Sequence, residues 1–523
     1  MDFYEYLTSI SKLKLGGICL ALFLAYDYWK KLYFRRHGIP GPFPLPIVGT
    51  LLSFTKGFTS DMLTKKNQYG KVYGIAFTDR SFVIHDLDML QEVLISRFSS
   101  FPNHSKPRFE DKPFNKAITV QQDNHWRDTR SILSPAFSGS RMKQMTPLIK
   151  ECCDQLVEHF GELSKTEGGI QCKDLYGAYS MDAVASTFFG MQIDSQKDPS
   201  NPFVKYAKEA FDMGITNLKL LIGLLVPGMA KLYNLLGIQI SNKSATSFFI
   251  RVINQAIERR KKEENKRKDM LQLMIDAHKL DSYVVQEEDD LVKGDLAGQQ
   301  DTSYRSKKAL DADEIMANAV FFLIAGYDTT SSALCMSSYL LAMNKQHQEK
   351  LIQEVDKFAP RREDVTYEIL SKMEYLDGVV RESLRLYPPA AGADRCNDKG
   401  DIVIKGTLIP KGFSVFIPIY AIQHDPEYWD EPEEFRPQRF FKENRASIHS
   451  VSWLPFGNGP RSCIGMRLAL MEVKFALVRM LQEFTFETCA ETEVIPPVLN
   501  NTSLFISPPD GVKLQVVPRK KSD

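Results

Sequence analysis

The chain has 523 residues, which is long enough to bury a large core, and its 66 Lys and Arg nearly balance its 65 Asp and Glu. The net charge of +1 disfavours a globally basic nucleic-acid-binding protein, so no nucleic acid is expected as a partner. With 43% hydrophobic and 11% aromatic residues, the composition is typical of a folded protein. The eight cysteines are sparse and form no CxxC pair, which argues against a disulfide framework and indicates reducing surroundings.

The N-terminus carries an uninterrupted run of 12 apolar or small residues at 15–26. Such a run is short for a membrane-spanning helix, and the alternative is the core of a cleaved secretory signal. Two features favour an uncleaved anchor. Bulky residues at 26–29 stand where a cleavage site needs small ones, and four basic residues follow at 30, 31, 35 and 36. This bias predicts a membrane anchor with its basic flank over residues 1–37 and a cytosolic body.

A proline-rich hinge follows the anchor over residues 38–50. Four of the seven residues at 40–46 are proline, which prevents a helix and imposes a stiff extended strap. Such a strap would fix how the body sits relative to the membrane. Composition alone does not distinguish it from a plain linker.

The rest of the chain, residues 51–523, is predicted to form one large domain that is mainly α-helical with small β-sheets. Strand-like runs occur at 72–77 and 82–84, and helical periodicity dominates the sequence that follows. A polar stretch at 281–309 has no apolar period and is interpreted as a surface insertion.

A long helix is predicted directly after this insertion. Asp311 and Asp313 are candidate N-caps, and an apolar face that begins at Ile315 continues to the region of Met343. A helix of this length would be ~45 Å long and would cross the whole body. Its middle, residues 325–330, contains polar side chains that are unexpected in a buried span.

A loop rich in glycine and proline, residues 456–465, precedes an apolar, helix-like run at 466–481. The small residues permit a tight loop, which leaves Cys463 at the start of the helix. There the helix dipole and the free amides stabilise a thiolate and tune its electron donation. The alternative is an ordinary buried cysteine.

The loop matches FxxGxRxCxG at every fixed position, with Phe456, Gly459, Arg461, Cys463 and Gly465. In this the chain resembles the cytochrome P450 family, whose haem-binding loop has the same pattern. The resemblance implies the cytochrome P450 fold and haem b as the cofactor. It also implies that Cys463 is the axial ligand of the iron, with the other four residues as part of the cofactor site. In that family the thiolate pushes electron density that favours O–O cleavage.

A second match is the ExxR pair of Glu382 and Arg385 on one helix face. Without the other motifs, such a pair would be interpreted as a common ion pair on the surface of a helix. Residues 436–440 resemble the family's PERF-type segment, with Gln438 in place of the usual glutamate. From this segment Arg439 would complete a structural Glu382–Arg385–Arg439 cluster. If the cluster is buried, breaking one member should cost several kcal/mol.

Trp126 and Arg130 resemble the family's WxxxR element. Their spacing places an indole N–H and a guanidinium on one helix face, where both could bind a haem propionate. Arg395 and Arg461 resemble the other propionate partners, and the alternative for each arginine is a solvated surface charge. Related enzymes carry a further basic residue upstream of the tryptophan, and no residue of the region 103–108 is assigned to that role.

The middle of the long helix resembles the family's AGx[D/E]TT element, which faces the oxygen side of the haem. By this resemblance, Gly326 would leave room for dioxygen, and Asp328 and Thr329 would relay protons to the distal oxygen as the catalytic residues. The alternative is an Asp–Thr pair that satisfies backbone groups at a kink.

The resemblance covers nearly the whole chain, and it points to the microsomal, xenobiotic-oxidising family three and to thromboxane synthase. It implies a monooxygenase that inserts one atom of O2 into lipophilic small molecules, namely steroids, fatty acids or xenobiotics. Two alternatives remain: an endoperoxide isomerase like thromboxane synthase, and a non-catalytic haem-binding membrane protein. Asp328 and Thr329 favour monooxygenation, because that isomerase carries an apolar residue in place of the threonine.

Electrons must come from outside the chain, because only 60 residues follow Cys463 and no GxGxxG follows a predicted strand. The family implies NADPH and its reductase, NADPH–cytochrome P450 reductase, at the endoplasmic reticulum membrane, with cytochrome b5 as a second candidate partner. Candidate docking residues near the haem motifs are Arg127, Lys143 and Arg467.

Residues 213–240 form an apolar stretch interrupted by a Pro-Gly pair. One interpretation is a substrate-channel lid that dips into membrane lipid and admits lipophilic compounds. The other is a pair of ordinary core helices broken by a turn.

Overall fold

The computed structural model of the chain describes residues 12–54, 57–77, 79–165, 168–198, 200–211, 218–226, 228–262, 267, 269–278, 309–493, 505–506 and 511–520. The insertion expected at 281–309 lies outside the described residues except for residue 309. Residues 1–11 of the expected anchor and residues 213–217 and 227 of the expected lid also lie outside them.

Helices make up most of the described chain. In chain order the α-helices are α1 (Lys12–Lys31), α2 (Tyr33–Arg36), α3 (Phe58–Tyr69), α4 (Leu87–Gln91), α5 (Asp123–Leu133), α6 (Gly139–Leu163), α7 (Cys172–Phe189), α8 (Pro202–Phe211), α9 (Leu218–Leu225), α10 (Met229–Leu236), α11 (Lys243–Lys262), α12 (Met270–Ala277), α13 (Ala312–Met343), α14 (Lys345–Phe358), α15 (Tyr367–Leu370), α16 (Glu374–Leu386), α17 (Ile419–Gln423), α18 (Lys442–Arg445) and α19 (Met466–Glu483).

The strands form small sheets at the edges of the helical body. They are β1 (Val72–Ala76), β2 (Arg80–Ile84), β3 (Ile170–Gln171), β4 (Ala393–Cys396), β5 (Ile402–Ile404), β6 (Thr407–Ile409), β7 (Ser414–Ile417), β8 (Phe484–Glu487) and β9 (Lys513–Pro518). One sheet has the order β1-β2-β7-β4, another has the order β3-β9-β8, and β5 pairs with β6. Only the β2–β7 pair is parallel among these described pairings. The predicted fold class, mainly α with small β-sheets, is confirmed.

The long helix α13 begins at a capping box. The N–H of Glu314 donates to Asp311 Oδ1 at 2.7 Å, and the N–H of Asp311 donates back to Glu314 Oε2 at 2.8 Å. Within the described residues, α13 is the one helix that is long and apolar enough to span a membrane. Of an apolar 18-residue stretch within this helix, 72% is buried inside the protein. It is therefore a core helix, and α1 does not pass the same test.

Four helices form the centre of the body. α13 packs against α7 and α19, and α6 packs against the same two helices. Fully buried apolar side chains from all four meet between them, for example Leu156, Met181, Leu334 and Leu477. Burying each such side chain contributes about 1.5–3 kcal/mol, so this bundle is the scaffold on which the site is built.

The N-terminal hinge is bound to the edge of β1. The N–H of Gly74 donates to Pro40 O at 2.8 Å, and the N–H of Thr50 donates to Ala76 O at 2.8 Å. The ring of Phe34 fills the space beside Gly74, where a Cβ would lie 2.1 Å from the ring. The hinge is thus hydrogen-bonded to β1 at Pro40 and at Thr50, near its two ends.

Candidate functional site

Gly459 sets the shape of the loop that carries Cys463. Its φ of +73° lies in the left-handed region, and a Cβ there would lie 2.0 Å from the carbonyl oxygen of Leu94. The loop closes on itself where the N–H of Cys463 donates to Phe456 O at 2.8 Å. Cys463 is thereby held just before α19, whose N-cap is Gly465.

Cys463 is solvent-accessible, yet the surrounding protein is dense enough that burial raises the pKa of its thiol. Accessible surface within dense protein indicates an internal cavity at this cysteine. The backbone N–H groups of Gly465 and Met466 and the guanidinium of Arg130 act in the opposite direction and favour the thiolate. A metal cation in the cavity would supply the further charge that deprotonates such a thiol.

Arg130, Arg395 and Arg461 form a cationic group in which Arg395 and Arg461 are buried and Arg130 is half-buried. Burial lowers the pKa of Arg130 and of Arg395 to about 10. Burial also lowers the pKa of Arg461 to about 9, and the charges of Arg395 and Arg130 add to that effect. The buried Nε of Arg395 has no hydrogen-bond partner within the described ranges. Buried guanidinium groups whose charge is not neutralised are stabilised by anions, so the site fits the two propionates of haem b.

Two of these arginines also bind the polypeptide around the loop. Arg461 Nη2 donates to Gln121 O at 2.7 Å, and its guanidinium lies 4.0 Å from the ring centroid of Trp126. Arg130 Nη1 donates to Ser462 O at 2.7 Å. Arg461 and Arg130 therefore fasten the cysteine loop to α5 and to the segment before it.

His104 belongs to the same group, although the sequence left its region unassigned. Its Nδ1 lies 3.1 Å from Asp394 Oδ1 and 3.3 Å from Arg395 Nη1. Burial lowers the pKa of His104. Burial raises the pKa of Asp394, but the hydrogen bonds from His104 and Ser105 outweigh it and hold that pKa at about 2. No local pattern predicts this contact, because His104 and Asp394 are 290 positions apart.

Glu382, Arg385 and Arg439 lie together, and the first two are fully buried. Arg385 donates from Nε to Glu382 Oε2 at 2.8 Å and from Nη2 to Oε1 at 2.9 Å. Arg439 Nε donates to Glu382 Oε1 at 3.2 Å, and the N–H of Arg436 donates to the same oxygen at 3.0 Å. Since Arg385 Nη1 also donates to Gln423 O at 2.7 Å, both the acid and its main partner are multiply bonded.

Asp328 and Thr329 are neighbours on α13 with different partners. Lys173 of α7 binds Asp328, with Nζ 2.9 Å from Oδ1. The hydroxyl of Thr329 donates to Ala325 O at 2.8 Å, a bond that threonine often makes within its own helix. The two residues expected to act as one relay are therefore adjacent but not bonded to each other.

Gly326 and Thr330 face neighbouring helices. A Cβ at Gly326 would lie 2.5 Å from Val184 Cγ2 of α7, so the space that this glycine leaves is filled by α7 rather than left open for dioxygen. Thr330 Oγ1 donates at 3.3 Å to Oε2 of Glu472 in α19. Glu472 was missed by the sequence analysis. Burial raises the pKa of its carboxyl to about 8, and Oε1 is unpartnered within the described residues.

The three basic residues considered for partner docking differ in exposure. Lys143 is exposed and forms an ion pair with Glu368 at 2.9 Å. Arg127 and Arg467 are half-buried.

The sequence model of the family described as Cytochrome P450 matches residues 39–516. The chain belongs to the cytochrome P450 family. It is 36% identical over 509 residues to cytochrome P450 3A17 of Cavia porcellus, which covers 97% of this chain and 96% of the relative. It is 39% identical over 493 residues to cytochrome P450 3A2 of Rattus norvegicus, covering 93% of this chain and 92% of the relative. It is 40% identical over 508 residues to cytochrome P450 3A13 of Mus musculus, covering 96% of each.

As a cytochrome P450 the chain is a monooxygenase that uses haem b. The cavity at Cys463 agrees with that cofactor in two respects. A cysteine sulfur lies at the start of a helix, and arginines whose pKa is lowered by burial lie nearby, where carboxylates could neutralise them.

Proposed function

We propose that Cys463 is the axial thiolate ligand of the haem iron and that the enzyme inserts one atom of O2 into lipophilic small molecules. The second oxygen atom leaves as water, which consumes two electrons and two protons per turnover. The observation that supports this proposal is Cys463, which is solvent-accessible within dense protein and whose sulfur lies beside the backbone N–H groups of Gly465 and Met466 at the start of α19. When bound there, haem supplies the activation of oxygen.

The haem propionates are bound, in this proposal, by Trp126, Arg130, Arg395 and Arg461. Arg395 is the best placed of these, because its buried Nε still lacks a partner among the described residues. Arg461 already donates to backbone carbonyls, so its main contribution is positive charge. Phe456, Gly459 and Gly465 shape the loop.

Glu382, Arg385 and Arg439 hold the proximal side in place. The two Arg385–Glu382 bonds lie within α16, and the Arg439–Glu382 bond joins α16 to the segment that follows β7, so the cluster acts as a clasp between these two segments. None of the three is proposed to touch substrate.

Asp328 and Thr329 are proposed to carry protons to the oxygen side. Asp328 is partly exposed, at 19%, and can take a proton from water. Thr329 donates its own hydrogen to Ala325, so its oxygen lone pairs remain available to accept one. Transfer between the two requires either a rotation of Asp328 or one bridging water.

The substrates are proposed to be steroids, fatty acids or xenobiotics that enter from membrane lipid. Apolar side chains on α9 and α10 and beside them are exposed, with Leu235 at 83% and Leu218 at 66%. Exposed apolar patches of this kind favour a lipid surface. The N-terminal segment 1–37 would anchor the enzyme in the endoplasmic reticulum membrane, with the body in the cytosol. A protein that lacks residues 1–37 should remain partly membrane-bound, and full recovery in the low-salt soluble fraction would contradict the lid interpretation.

Electrons are proposed to reach the haem from NADPH through NADPH–cytochrome P450 reductase, with cytochrome b5 as a second donor. The deciding experiment uses the full-length holoprotein reconstituted with that reductase and screened against steroids, fatty acids and drugs. Ligand-induced Soret shifts identify binders, and NADPH consumption with a matching hydroxylated product supports the proposal. Conversion of an endoperoxide without NADPH would instead identify an isomerase. Binding with no turnover across the panel would identify a haem carrier.

A further inference from the structure

Gln423, the last residue of α17, is fully buried, and its side-chain amide binds three backbone groups. Nε2 donates to Leu384 O at 3.2 Å and to Arg385 O at 2.7 Å. Oε1 accepts from the N–H of Leu454 at 2.8 Å. An amide side chain carries two donor hydrogens and one acceptor oxygen, so both ends of Gln423 are bonded to the backbone of other segments.

The two carbonyl partners of Gln423 lie at the end of α16. Leu384 and Arg385 belong to its last turn, where carbonyl oxygens have no partner inside the helix. The main-chain oxygen of Gln423 accepts in turn from Arg385 Nη1 at 2.7 Å. Since the guanidinium of Arg385 also binds Glu382, Gln423 is bonded directly to the Glu382–Arg385–Arg439 cluster.

The third partner of Gln423 lies at the entrance to the cysteine loop. Leu454 stands two residues before the loop 456–465 and is 1% exposed. Its carbonyl oxygen accepts from the N–H of Gly457 at 2.9 Å, and the N–H of Cys463 donates to Phe456 O at 2.8 Å. The position of Leu454 therefore sets where the loop begins, and the loop carries that position to Cys463.

The ion pairs of the cluster do not extend to this loop. Hydrogen bonds to Glu382 come from α16 itself and from residues 436–439, and none of those that the structure describes reaches the loop. Gln423 supplies the connection, because one side chain binds α16 and Leu454 at once. One further bond joins α16 to the residue before Leu454, from Trp453 Nε1 to Arg381 O at 3.1 Å.

We propose that Gln423 is a positioning residue for Cys463, carrying the fixed position of α16 to the cysteine loop through the N–H of Leu454. This inference rests on the proposed role of Cys463 as the thiolate ligand of the haem iron. Groups that hold a metal ligand in place change the properties of the metal without touching it. If the amide is removed, the N–H of Leu454 and two carbonyl oxygens of α16 lose their partners in a buried region, and the loop becomes free to shift.

The first test replaces Gln423 in the full-length holoprotein. Q423M keeps the length of the side chain and removes its three hydrogen bonds. The carbonyl difference spectrum of the reduced protein should lose roughly half or more of the long-wavelength thiolate band, with a matching gain at shorter wavelength. A folded Q423M that keeps the whole of this band would overturn the inference.

Gln348 of α14 provides the matched control, because it is 4% exposed and makes the same number of backbone hydrogen bonds. Its Nε2 donates to Leu341 O at 3.2 Å and to Phe486 O at 2.9 Å, and its Oε1 accepts from the N–H of Phe486 at 2.7 Å. Q348M should lower the free energy of unfolding about as much as Q423M and leave the thiolate band unchanged. An equal loss of the band in both variants would reflect instability alone and would overturn the inference.

A second test follows the loop itself and uses a milder change. Q423N keeps an amide that is one methylene shorter, so it should release at least one of the three backbone partners. Amide hydrogen exchange followed by mass spectrometry compares residues 454–465 with β8, which carries a partner of Gln348. Exchange in 454–465 should become roughly fivefold faster in Q423N, and exchange in β8 should not change. Equal exchange of 454–465 in wild type and Q423N would overturn the inference, even if Q423M fails to fold.

The inference and the proposed function fail differently. If the wild type lacks the thiolate band, Cys463 is not the ligand, and the proposed function fails together with this inference. If the wild type has the band and folded Q423M retains it, Cys463 is the ligand and Gln423 does not position it. If Q423M loses the band but Q423N leaves exchange in 454–465 unchanged, Gln423 does not act through the loop, and the inference is again overturned.

Discussion

Two regions of this cytochrome P450 hold their polar groups in opposite ways. The proximal network consists of Glu382, Arg385 and Arg439 with the loop 456–465, and the relay turn consists of residues 325–332 of α13. In the proximal network a single oxygen, Glu382 Oε1, accepts from three different residues. In the relay turn Asp328 binds Lys173 of α7, Thr329 donates to Ala325 of α13 itself, and Thr330 donates to Glu472 of α19.

This difference matches the work that is proposed for each region. A metal ligand must stay still, and redundant hydrogen bonds to buried charges are difficult to break one at a time. A proton relay must exchange hydrogen-bond partners in every cycle, so side chains with few partners suit it better. On this proposal, redundant hydrogen bonds mark the scaffold of the site and single ones mark its moving parts.

The largest expected effect comes from opening the proximal network. Glu382→Ala leaves Arg385 and Arg439 without their counter-charge and should lower the free energy of unfolding by about 3–5 kcal/mol. Thermal unfolding and haem content per protein measure the loss. Glu434→Ala removes a carboxylate at a position that is 58% exposed and is the control. Equal stability of the two variants would mean that the network does not hold the proximal side.

The next largest effect concerns the glycines of the cysteine loop. Gly459→Ala should cost about 2–4 kcal/mol, because its Cβ would overlap Leu94 O and the backbone must shift. Gly457→Ala is the matched control, with a φ of +67° and its nearest neighbour at 3.9 Å, and should cost only about 1 kcal/mol. The free energies of unfolding of the two variants, each compared with wild type, measure this difference. Equal losses would show that the positive φ, and not the close approach, constrains the loop.

A smaller, pH-dependent effect is expected at Glu472 beside the relay turn. Its pKa in the folded protein is about 8, raised by burial from 4.5, so the folded state keeps a proton that the unfolded state loses. Wild-type stability therefore falls as pH rises through this window. Glu472→Gln should remove that loss and gain roughly 2 kcal/mol relative to wild type near the upper end of the window.

The check for Glu472 is the difference in unfolding free energy between variant and wild type across this pH range. Glu363→Gln, at a position that is 67% exposed, is the control and should show no such trend. A pH-independent difference for Glu472→Gln would contradict a protonated buried acid.

The smallest effect concerns the three basic residues proposed to dock the reductase. Charge reversal at Arg127, Lys143 or Arg467 should slow reduction by the reductase roughly two- to tenfold at low salt and less at high salt. Stopped-flow reduction measures it, with Lys197→Glu as a control at another exposed position. Unchanged reduction rates in all three variants would contradict the proposal that these residues dock the reductase.

The sequence predicted the proximal side better than the oxygen side, for a physical reason. The cysteine loop, the ExxR pair and the capping of α13 at Asp311 depend on residues close together in the chain, where spacing determines geometry. Arg439 joined Glu382 as the family pattern implied. The polar insertion at 281–309 is almost wholly outside the described residues, so that expectation stays a prediction.

The contacts that the sequence could not predict join distant segments. Lys173 reaches Asp328 over 155 positions, and His104 reaches Asp394 over 290. Arg461 was expected only as a propionate partner, yet it also donates to carbonyls of the segment before α5. Gly326 was expected to leave room for dioxygen, but Val184 of α7 fills the space beside it. The packing of helices and loops determines such contacts, and the spacing of residues within one segment does not predict that packing.

We propose above all that the sulfur of Cys463 binds the haem iron as a thiolate. The most direct measurement is the carbonyl difference spectrum of the reduced, full-length holoprotein, compared with that of Cys463→His. We predict the long-wavelength Soret band of a thiolate-ligated haem for the wild type, and a band at the position of imidazole-ligated haem for the variant. A wild-type band at the imidazole position, or an unchanged band in Cys463→His, would contradict the assignment.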